Sequence, residues 1–208
     1  MIPLFVDCSG RRIVIFGGGA VAARKAVYFS GEAQVLVVSR SFSEKMAGLP
    51  VEHKTRDVRD EPDRAVEELI AGAFLVIGAL SDPGQNNRIG KICRRAGVLF
   101  NNADGDVGDV KLPAISRAEH YTLAISTDGS SPAVSRYIRE YLEQELPALD
   151  AMIALQERLR KKLRNLEPDQ ARRNVVLREV LDDPSIWKHL ESDPDTAWEQ
   201  VSRRYLHD

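Results

Sequence analysis

Short apolar runs alternate with amphipathic segments through the first half of the chain. Arg12–Phe16 forms an apolar run that ends at three glycines, and Ala20–Ser30 then follows a helical pattern. Near-continuous apolar strands separated by helices are typical of a parallel sheet that is covered on both faces. The pattern therefore predicts an α/β fold with an N-terminal Rossmann-type parallel sheet. The other strand-like runs lie at residues 34–38, 51–55, 74–79 and 98–101, and the other helical patterns at 63–71 and 86–95.

The pattern changes after the fifth apolar run, where glycines interrupt it. Residues 121–126 alternate like a half-exposed strand. Pro132 then stands at a helix start, with Ser130 or Ser131 as the cap. The remainder of the chain has helical periodicity. We predict a sheet domain over residues 1–112, a short strand-helix module over 113–147 and a small all-helical C-terminal domain over 148–208.

A glycine-rich turn over residues 17–22 has the pattern G-x-G-x-x-A. Gly17 permits the tight turn, Gly19 lets the backbone approach a pyrophosphate, and Ala22 allows close packing of helix on strand. The first helical residues, Ala20 and Val21, present free N–H groups and the positive end of the helix dipole to phosphates. Because the pattern lies between a strand and a helix, it indicates a dinucleotide-binding domain rather than a simple turn.

The end of the second strand bears on the identity of the cofactor. NAD-binding folds usually place an acidic residue there for the ribose hydroxyls. This chain has Ser39, which can bond a ribose hydroxyl, followed by Arg40, which could meet a 2′-phosphate. At this position the residues leave NAD and NADP both open, and a solvated arginine at the strand end is the simplest interpretation of Arg40.

Composition and charge narrow the functional classes. A chain of 208 residues with a formal net charge of -2 has no general attraction for nucleic acid. We expect no membrane span, because no apolar run is long enough, and no signal peptide at the N-terminus. Cys8 and Cys93 lack metal-like spacing and predict reduced cysteines in a cytoplasmic protein. The histidines also lack ligand spacing, so we expect no metal.

Five segments, taken together, resemble one enzyme family. In order and spacing they are similar to the siroheme synthase dehydrogenase family, which includes the precorrin-2 dehydrogenases. The resemblance extends over nearly the whole chain. The segments are GGGAVAARK at residues 17–25, VIGALSDPGQNNR at 76–88, FNNAD at 100–104, PA at 113–114 and STDGSSPA at 126–133.

The resemblance implies NAD-dependent oxidation of precorrin-2 to sirohydrochlorin. It implies that Asp104, which follows the fifth predicted strand, is the catalytic acid/base, because dehydrogenation needs a group that accepts a proton. A turn aspartate that caps local backbone is the alternative for Asp104, and Asp106 and Asp109 are nearby competitors. Some relatives also insert Fe²⁺ into sirohydrochlorin, and the sequence does not separate this ferrochelatase activity from dehydrogenation.

The resemblance implies further site residues, with structural alternatives for several of them. Ala79 belongs to the cofactor edge. Asn101 and Asn102 either contact the nicotinamide amide or satisfy backbone groups at the strand end, and Asn86 is expected to hold the loop and helix start. The hydroxyl-rich loop before Pro132 either cradles a substrate carboxylate or forms a capped turn, and its residues are Ser126, Thr127, Gly129, Ser130 and Ser131.

The last expectations concern partners. The resemblance implies a homodimer formed through the 113–147 module. Basic residues over 158–164 could bind substrate carboxylates, although a charge run is usually a solvated helix face. A non-enzymatic NAD-sensing regulator is a further hypothesis, which the weak net charge and the lack of a helix-turn-helix pattern disfavour.

Overall fold

The computed structural model describes residues 1–104 and 108–206 of the chain. The chain divides into two units, Met1–Leu112 and Pro113–Asp208. The finer division at residue 147 stays a prediction. Over the described residues, none of the helices combines the length and apolar character needed to cross a membrane.

The first unit is a five-stranded parallel sheet in the order β3-β2-β1-β4-β5, with helices in the connections. This α/β architecture confirms the fold class predicted from the alternating pattern. The strands are β1 (Arg12–Phe16), β2 (Gln34–Ser39), β3 (Glu52–Thr55), β4 (Leu75–Gly78) and β5 (Leu99–Asn102). The helices are α1 (Ala20–Ser30), a 3-10 turn (Glu44–Met46), α2 (Asp63–Ile70) and α3 (Pro83–Ala96).

The inner strands have apolar side chains on both faces, which explains their continuous apolar runs. Val14 and Phe16 of β1 pack in one buried cluster with residues of α2 and α3. Ile13 and Ile15, which alternate with them along the strand, pack in a second cluster with residues of α1. Successive side chains of a strand point to opposite faces, so the sheet lies between two apolar layers.

Helix α3 begins three residues earlier than the sequence pattern predicts. The Asp82 carboxylate accepts hydrogen bonds from the N–H groups of Gly84 and Gln85, and Pro83 occupies the first helical position. An aspartate cap followed by proline is a favourable helix start. The apolar periodicity begins only at Ile89, so the pattern alone placed the start too late.

The second unit contains a two-stranded antiparallel sheet and five helices within the described residues. Strand β6 was not predicted from the sequence, because its four residues are too few to show a recognisable apolar alternation. It pairs with β7 in the register Ala114↔Ile125, and α4 packs on this hairpin. The elements are β6 (Ala114–Arg117), β7 (Thr122–Ile125), α4 (Pro132–Glu145), α5 (Leu149–Leu166), α6 (Gln170–Asp182), α7 (Pro184–Ser192) and α8 (Pro194–Tyr205).

Helices α5 to α8 share a buried apolar cluster that includes Met152, Leu159 and Ile186. Asp183 and Asp193 cap α7 and α8 through their carboxylates. The guanidinium of Arg158 lies 3.7 Å from the ring centre of Trp198. The other basic residues of the 158–164 run are exposed, as expected for a solvated helix face.

Candidate active site

An open cleft of about 640 Å³ lies at the carboxyl edge of the parallel sheet. It is lined by the segments that follow each of the five strands, at residues 17–21, 38–43, 56–59, 79–82, 103 and 104. The order β3-β2-β1-β4-β5 means that the chain crosses from one side of β1 to the other after β3. Open α/β sheets bind ligands at such a switch point.

The glycine turn after β1 packs directly against neighbouring backbone. Gly17 has a φ of +124°, and a Cβ at this position would overlap the carbonyl oxygen of Ala79. A Cβ at Gly18 would overlap the carbonyl oxygen of Ser41. The tight turn predicted at Gly17 is confirmed, and Gly18, which the motif treats as variable, is equally restricted.

Gly19 and the start of α1 form an uncrowded surface in the same cleft. A Cβ at Gly19 would meet nothing within 4 Å. Within the described residues no side chain caps the helix, and the first-turn N–H groups of a helix lack partners inside it. These groups fit the phosphates of a dinucleotide. Ala22 is fully buried against the sheet, which confirms the close packing predicted for it.

Charged side chains line the part of the cleft beyond β2 and β3. Ser39 ends β2, and Arg40 after it is exposed. The Nε of Arg40 lies 3.5 Å from the Oδ2 of Asp57, and Arg59 donates to both oxygens of that carboxylate. The hydrogen bond from Arg59, the largest cause, lowers the pKa of Asp57 to about 2. Asp57 was not among the residues named from the sequence, although it follows a predicted strand as Asp104 does.

A buried asparagine supports the turn after β4. The Oδ1 of Asn86 accepts a hydrogen bond of 3.0 Å from the Leu80 N–H, and its Nδ2 donates to the Leu80 carbonyl at 2.9 Å. Both polar ends of this fully buried side chain are therefore satisfied. The expected role of Asn86 in holding the loop and helix start is confirmed. Ala79, also named from the sequence, lines the cleft beside Leu80.

The acidic residues that were named from the sequence near the end of β5 have different surroundings in the structure. Asp104 is exposed and lines the cleft, and its N–H donates to the Asn102 Oδ1 at 3.2 Å. The Asp109 carboxylate instead accepts from the Phe100 N–H, a local role. Asp106 lies outside the described residues.

Asn101 and Asn102 are not among the residues that line the cleft. Asn101 is buried and donates from its Nδ2 to the Val110 carbonyl at 2.7 Å. Asn102 donates from its Nδ2 to the Asn87 Oδ1 at 3.2 Å. The Nδ2 group of each amide therefore has a partner within the protein, from the segment after β5 for Asn101 and from α3 for Asn102. The contact with the nicotinamide amide expected of them stays a prediction.

The hydroxyl-rich loop of the second unit forms a capped turn. The Thr127 Oγ1 donates to the Ser131 carbonyl and accepts from its N–H, and the Ser131 Oγ caps α4. The Ser126 Oγ accepts from the Asp128 N–H, and Gly129 has a φ of +88°. Ser130 donates its N–H to the Thr127 carbonyl. The capped-turn interpretation is confirmed, and substrate binding here stays a prediction.

Three polar residues of the second unit form a small cluster outside the sites named from the sequence. Glu119, His120 and Asp150 each place one possible ligand atom within 4.8 Å of the others. The backbone N–H of His120 donates to the Asp150 Oδ1 at 2.7 Å. The group is largely exposed, and exposed acidic groups commonly lie together without a metal ion.

Comparison with known proteins agrees with this geometry. Residues 4–114 match a family of NAD(P)-binding domains. The chain is 38% identical over 205 residues to the precorrin-2 dehydrogenase of Methanosarcina barkeri, an alignment that covers 96% of this chain and 91% of the relative. The chain belongs to the precorrin-2 dehydrogenase family. The glycine turn and the residues that line the cleft all lie within the part of the chain that matches the NAD(P)-binding domain family.

Two further similarities are to a longer siroheme synthase and to a solved structure. The chain is 31% identical to the siroheme synthase of Azotobacter vinelandii, covering 96% of this chain but 43% of that longer protein. A solved structure of SirC, a precorrin-2 dehydrogenase, has a TM-score of 0.72 at 24% identity, covering 98% of this chain and 100% of the other. The SirC comparison shows that the fold is shared along the length of the chain.

Proposed function

We propose that this protein is a nicotinamide-dependent dehydrogenase that oxidises precorrin-2 to sirohydrochlorin. Membership of the precorrin-2 dehydrogenase family supports the substrate. The observation that carries the mechanism is that Asp104 and the glycine turn line one cleft. An oxidoreductase is favoured over a regulator, because the cleft combines a dinucleotide-binding turn with an exposed carboxylate that can take part in proton transfer.

The residues that would hold the dinucleotide are those of the glycine turn and the α1 N-terminus. The backbone at Gly19 leaves room for a pyrophosphate, and the N–H groups of Ala20 and Val21 stabilise its charge. Ser39 and Arg40 lie at the end of β2, where dinucleotide folds contact the ribose. When bound, the nicotinamide supplies the acceptor for the hydride.

Asp104 supplies the proton acceptor in this mechanism. Removal of two hydrogens from a carbon–carbon bond transfers one as a hydride and releases the other as a proton. An exposed carboxylate at the strand tip is accessible both to a large substrate and to the solvent that removes the proton. The Asn102 side chain, by accepting from the Asp104 N–H, holds the backbone at this position.

We propose NAD rather than NADP as the acceptor. Arg40 and Arg59 line the cleft and are both paired with the Asp57 carboxylate, so neither guanidinium is free to bind the 2′-phosphate of NADP. Anaerobic incubation with precorrin-2 and either dinucleotide tests the assignment. We expect sirohydrochlorin absorbance and reduced nicotinamide to rise together, faster with NAD. Failure to form sirohydrochlorin with either dinucleotide would contradict the proposed function.

Replacement of Asp104 tests the mechanism directly. Asp104→Ala is expected to lower turnover by roughly 10²–10⁴-fold, the usual contribution of a general base, while NADH still binds. Asp109→Asn is the matched control, because Asp109 bonds local backbone and is expected to leave the rate close to that of wild type. Wild-type rates in Asp104→Ala would exclude this aspartate as the acid/base.

Insertion of Fe²⁺ into sirohydrochlorin is the second activity to test, because the chain also matches siroheme synthases over nearly all its length. The metal would be a substrate, and its insertion releases two pyrrole protons that Asp104 is positioned to accept. Incubation of the protein with sirohydrochlorin and Fe²⁺ or Co²⁺ decides the point. A rate equal to that without protein would rule this activity out.

We further propose a cytoplasmic homodimer formed through α4. Four exposed apolar side chains repeat along one face of this helix, at a spacing of three and four residues: Val134, Tyr137, Ile138 and Tyr141. A contiguous exposed apolar face marks an interaction surface. The two cysteines, Cys8 and Cys93, are free and buried, which suits a reducing compartment.

A further inference from the structure

A single carboxylate in the cleft is paired with two guanidinium groups. The Oδ2 of Asp57 lies 2.7 Å from the Nη2 of Arg59 and 3.5 Å from the Nε of Arg40. All three side chains line the cleft beside Ser39, the last residue of β2. Asp57 thus brings an acidic side chain, from the segment after β3, into the cleft near the end of β2.

The backbone fixes this segment beside the end of β2. The Arg56 N–H donates to the Ser39 carbonyl at 2.9 Å, which continues the β2–β3 pairing by one bond. The Arg56 side chain is itself paired with the Glu61 Oε1 at 2.6 Å. Arg40, Arg56 and Arg59 therefore each have a carboxylate partner.

A 2′-phosphate and a 2′-hydroxyl make opposite demands on such a site. The phosphate carries about 1.5 to 2 negative charges at neutral pH and requires guanidinium groups that are free to bind it. The hydroxyl is neutral and requires only a hydrogen-bond partner. A carboxylate that already binds the guanidiniums repels the phosphate and leaves the hydroxyl unaffected.

We propose that Asp57 determines dinucleotide selectivity, by holding Arg40 and Arg59 in ion pairs so that a free ribose 2′-hydroxyl is accepted and a 2′-phosphate is rejected. This inference rests on the proposed function, since it assumes that the cleft binds a nicotinamide dinucleotide. With a pKa of about 2, Asp57 is a carboxylate throughout the neutral range. Asp82, which also lines the cleft, adds negative charge on the side of β4.

The test is calorimetric titration of the full chain with NADH and with NADPH. Wild type is expected to bind NADH more tightly than NADPH. Asp57→Asn keeps the size of the side chain and removes its charge, so the ratio of the NADPH to the NADH dissociation constant is expected to fall by at least about tenfold. NADH binding by the variant, at whatever affinity, shows that its cleft is folded.

Two further variants distinguish local pairing from a general change of charge. Asp60→Asn removes the same charge from an exposed residue that does not line the cleft and that acts on Arg59 through its charge alone. It is expected to leave the ratio within about twofold of wild type, as for a screened surface charge. Adding Arg40→Ala to Asp57→Asn is expected to reverse most of the gain in NADPH affinity, since Arg40 would be a freed phosphate ligand.

The outcomes separate this inference from the proposed function. If wild type binds NADH and Asp57→Asn leaves the ratio unchanged, or if Asp60→Asn changes it equally, the role of Asp57 is wrong while the dehydrogenase assignment stands. Equal binding of NADH and NADPH by wild type would also overturn the inference. If wild type binds neither dinucleotide, the proposed function itself fails.

Discussion

At the scale of single residues, the adjacent glycines of the turn after β1 have different surroundings. Gly18 faces the carbonyl oxygen of Ser41 and the side chain of Ser39, whereas the equivalent position at Gly19 is open. One glycine is therefore required by the protein's own packing, and the other by the proposed ligand. The same motif thus contains one requirement of folding and one of binding.

Alanine substitutions test this difference. Gly18→Ala is expected to lower the free energy of unfolding by about 1–3 kcal/mol, because its Cβ overlaps backbone in a packed turn. Gly19→Ala is expected to change it by less than about 1 kcal/mol, as for a change at an uncapped helix start. Urea unfolding monitored by circular dichroism measures both.

Titration of Gly19→Ala with NADH completes the comparison. Its dissociation constant is expected to rise by at least about tenfold, equivalent to about 1.4 kcal/mol, because the added methyl occupies the approach to the pyrophosphate. Unchanged NADH affinity in this folded variant would show that the phosphates bind elsewhere.

At the scale of elements, Arg88 joins α3 to the segment before α2. Its guanidinium donates to the carbonyls of Val58 and Glu61 and to the Asp63 Oδ1. Its side chain is 24% exposed, and its bonds to these two carbonyls are partly buried. The family-like stretch at residues 76–88 thus contains a residue that fixes the backbone near the Asp57 side of the cleft.

Arg88→Met is expected to lower the free energy of unfolding by about 2–3 kcal/mol, since it leaves partly buried carbonyls without donors. Arg64→Met is the control, because Arg64 pairs with Glu68 on the exposed face of α2, and a change within about 0.5 kcal/mol is expected there. Equal effects of the two substitutions in urea unfolding would contradict this role for Arg88.

The pH dependence provides a second measurement of the Arg88 contact. Hydrogen bonds from Arg88 and then Arg95 lower the pKa of Asp63. A lowered carboxylate pKa stabilises the folded state above the pKa of the unfolded chain, and this stabilisation is lost as pH falls through the folded value. The stability difference between wild type and Arg88→Met should therefore narrow in acid.

At the scale of the whole molecule, the exposed face of α4 bears on assembly. Tyr137 is 66% exposed and Tyr141 50% exposed, and their rings stack with centroids 6.3 Å apart. Ile138→Asp, on the same face, is expected to raise the dimer dissociation constant at least tenfold, as for a charge buried in an interface. Sedimentation velocity over a range of concentrations measures it.

Val175→Asp is the matched control for assembly, because Val175 is 56% exposed on α6 and its substitution adds the same charge away from α4. Wild-type sedimentation is expected for this control. A protein that sediments as a monomer before any substitution, or a dimer that Ile138→Asp leaves intact, would contradict assembly through α4.

The sequence by itself determined the parallel sheet, the turn at Gly17 and the position of Asp104 beyond β5. These features are local, because burial on both faces produces apolar runs and a left-handed turn requires glycine at that very residue. The sequence pattern did not predict the short strand β6 and placed the start of α3 too late. Each of these features depends on a few residues that show no periodic spacing of apolar side chains.

Only the tertiary structure decided which polar groups are partners. Strand order brings Asp57 beside Arg40 from a separate segment, and chain reversal after β5 brings the Val110 carbonyl to Asn101. The sequence states which residues are charged and which can form hydrogen bonds. Which of the many possible partners each residue contacts depends on distances that are set only when the sheet is assembled.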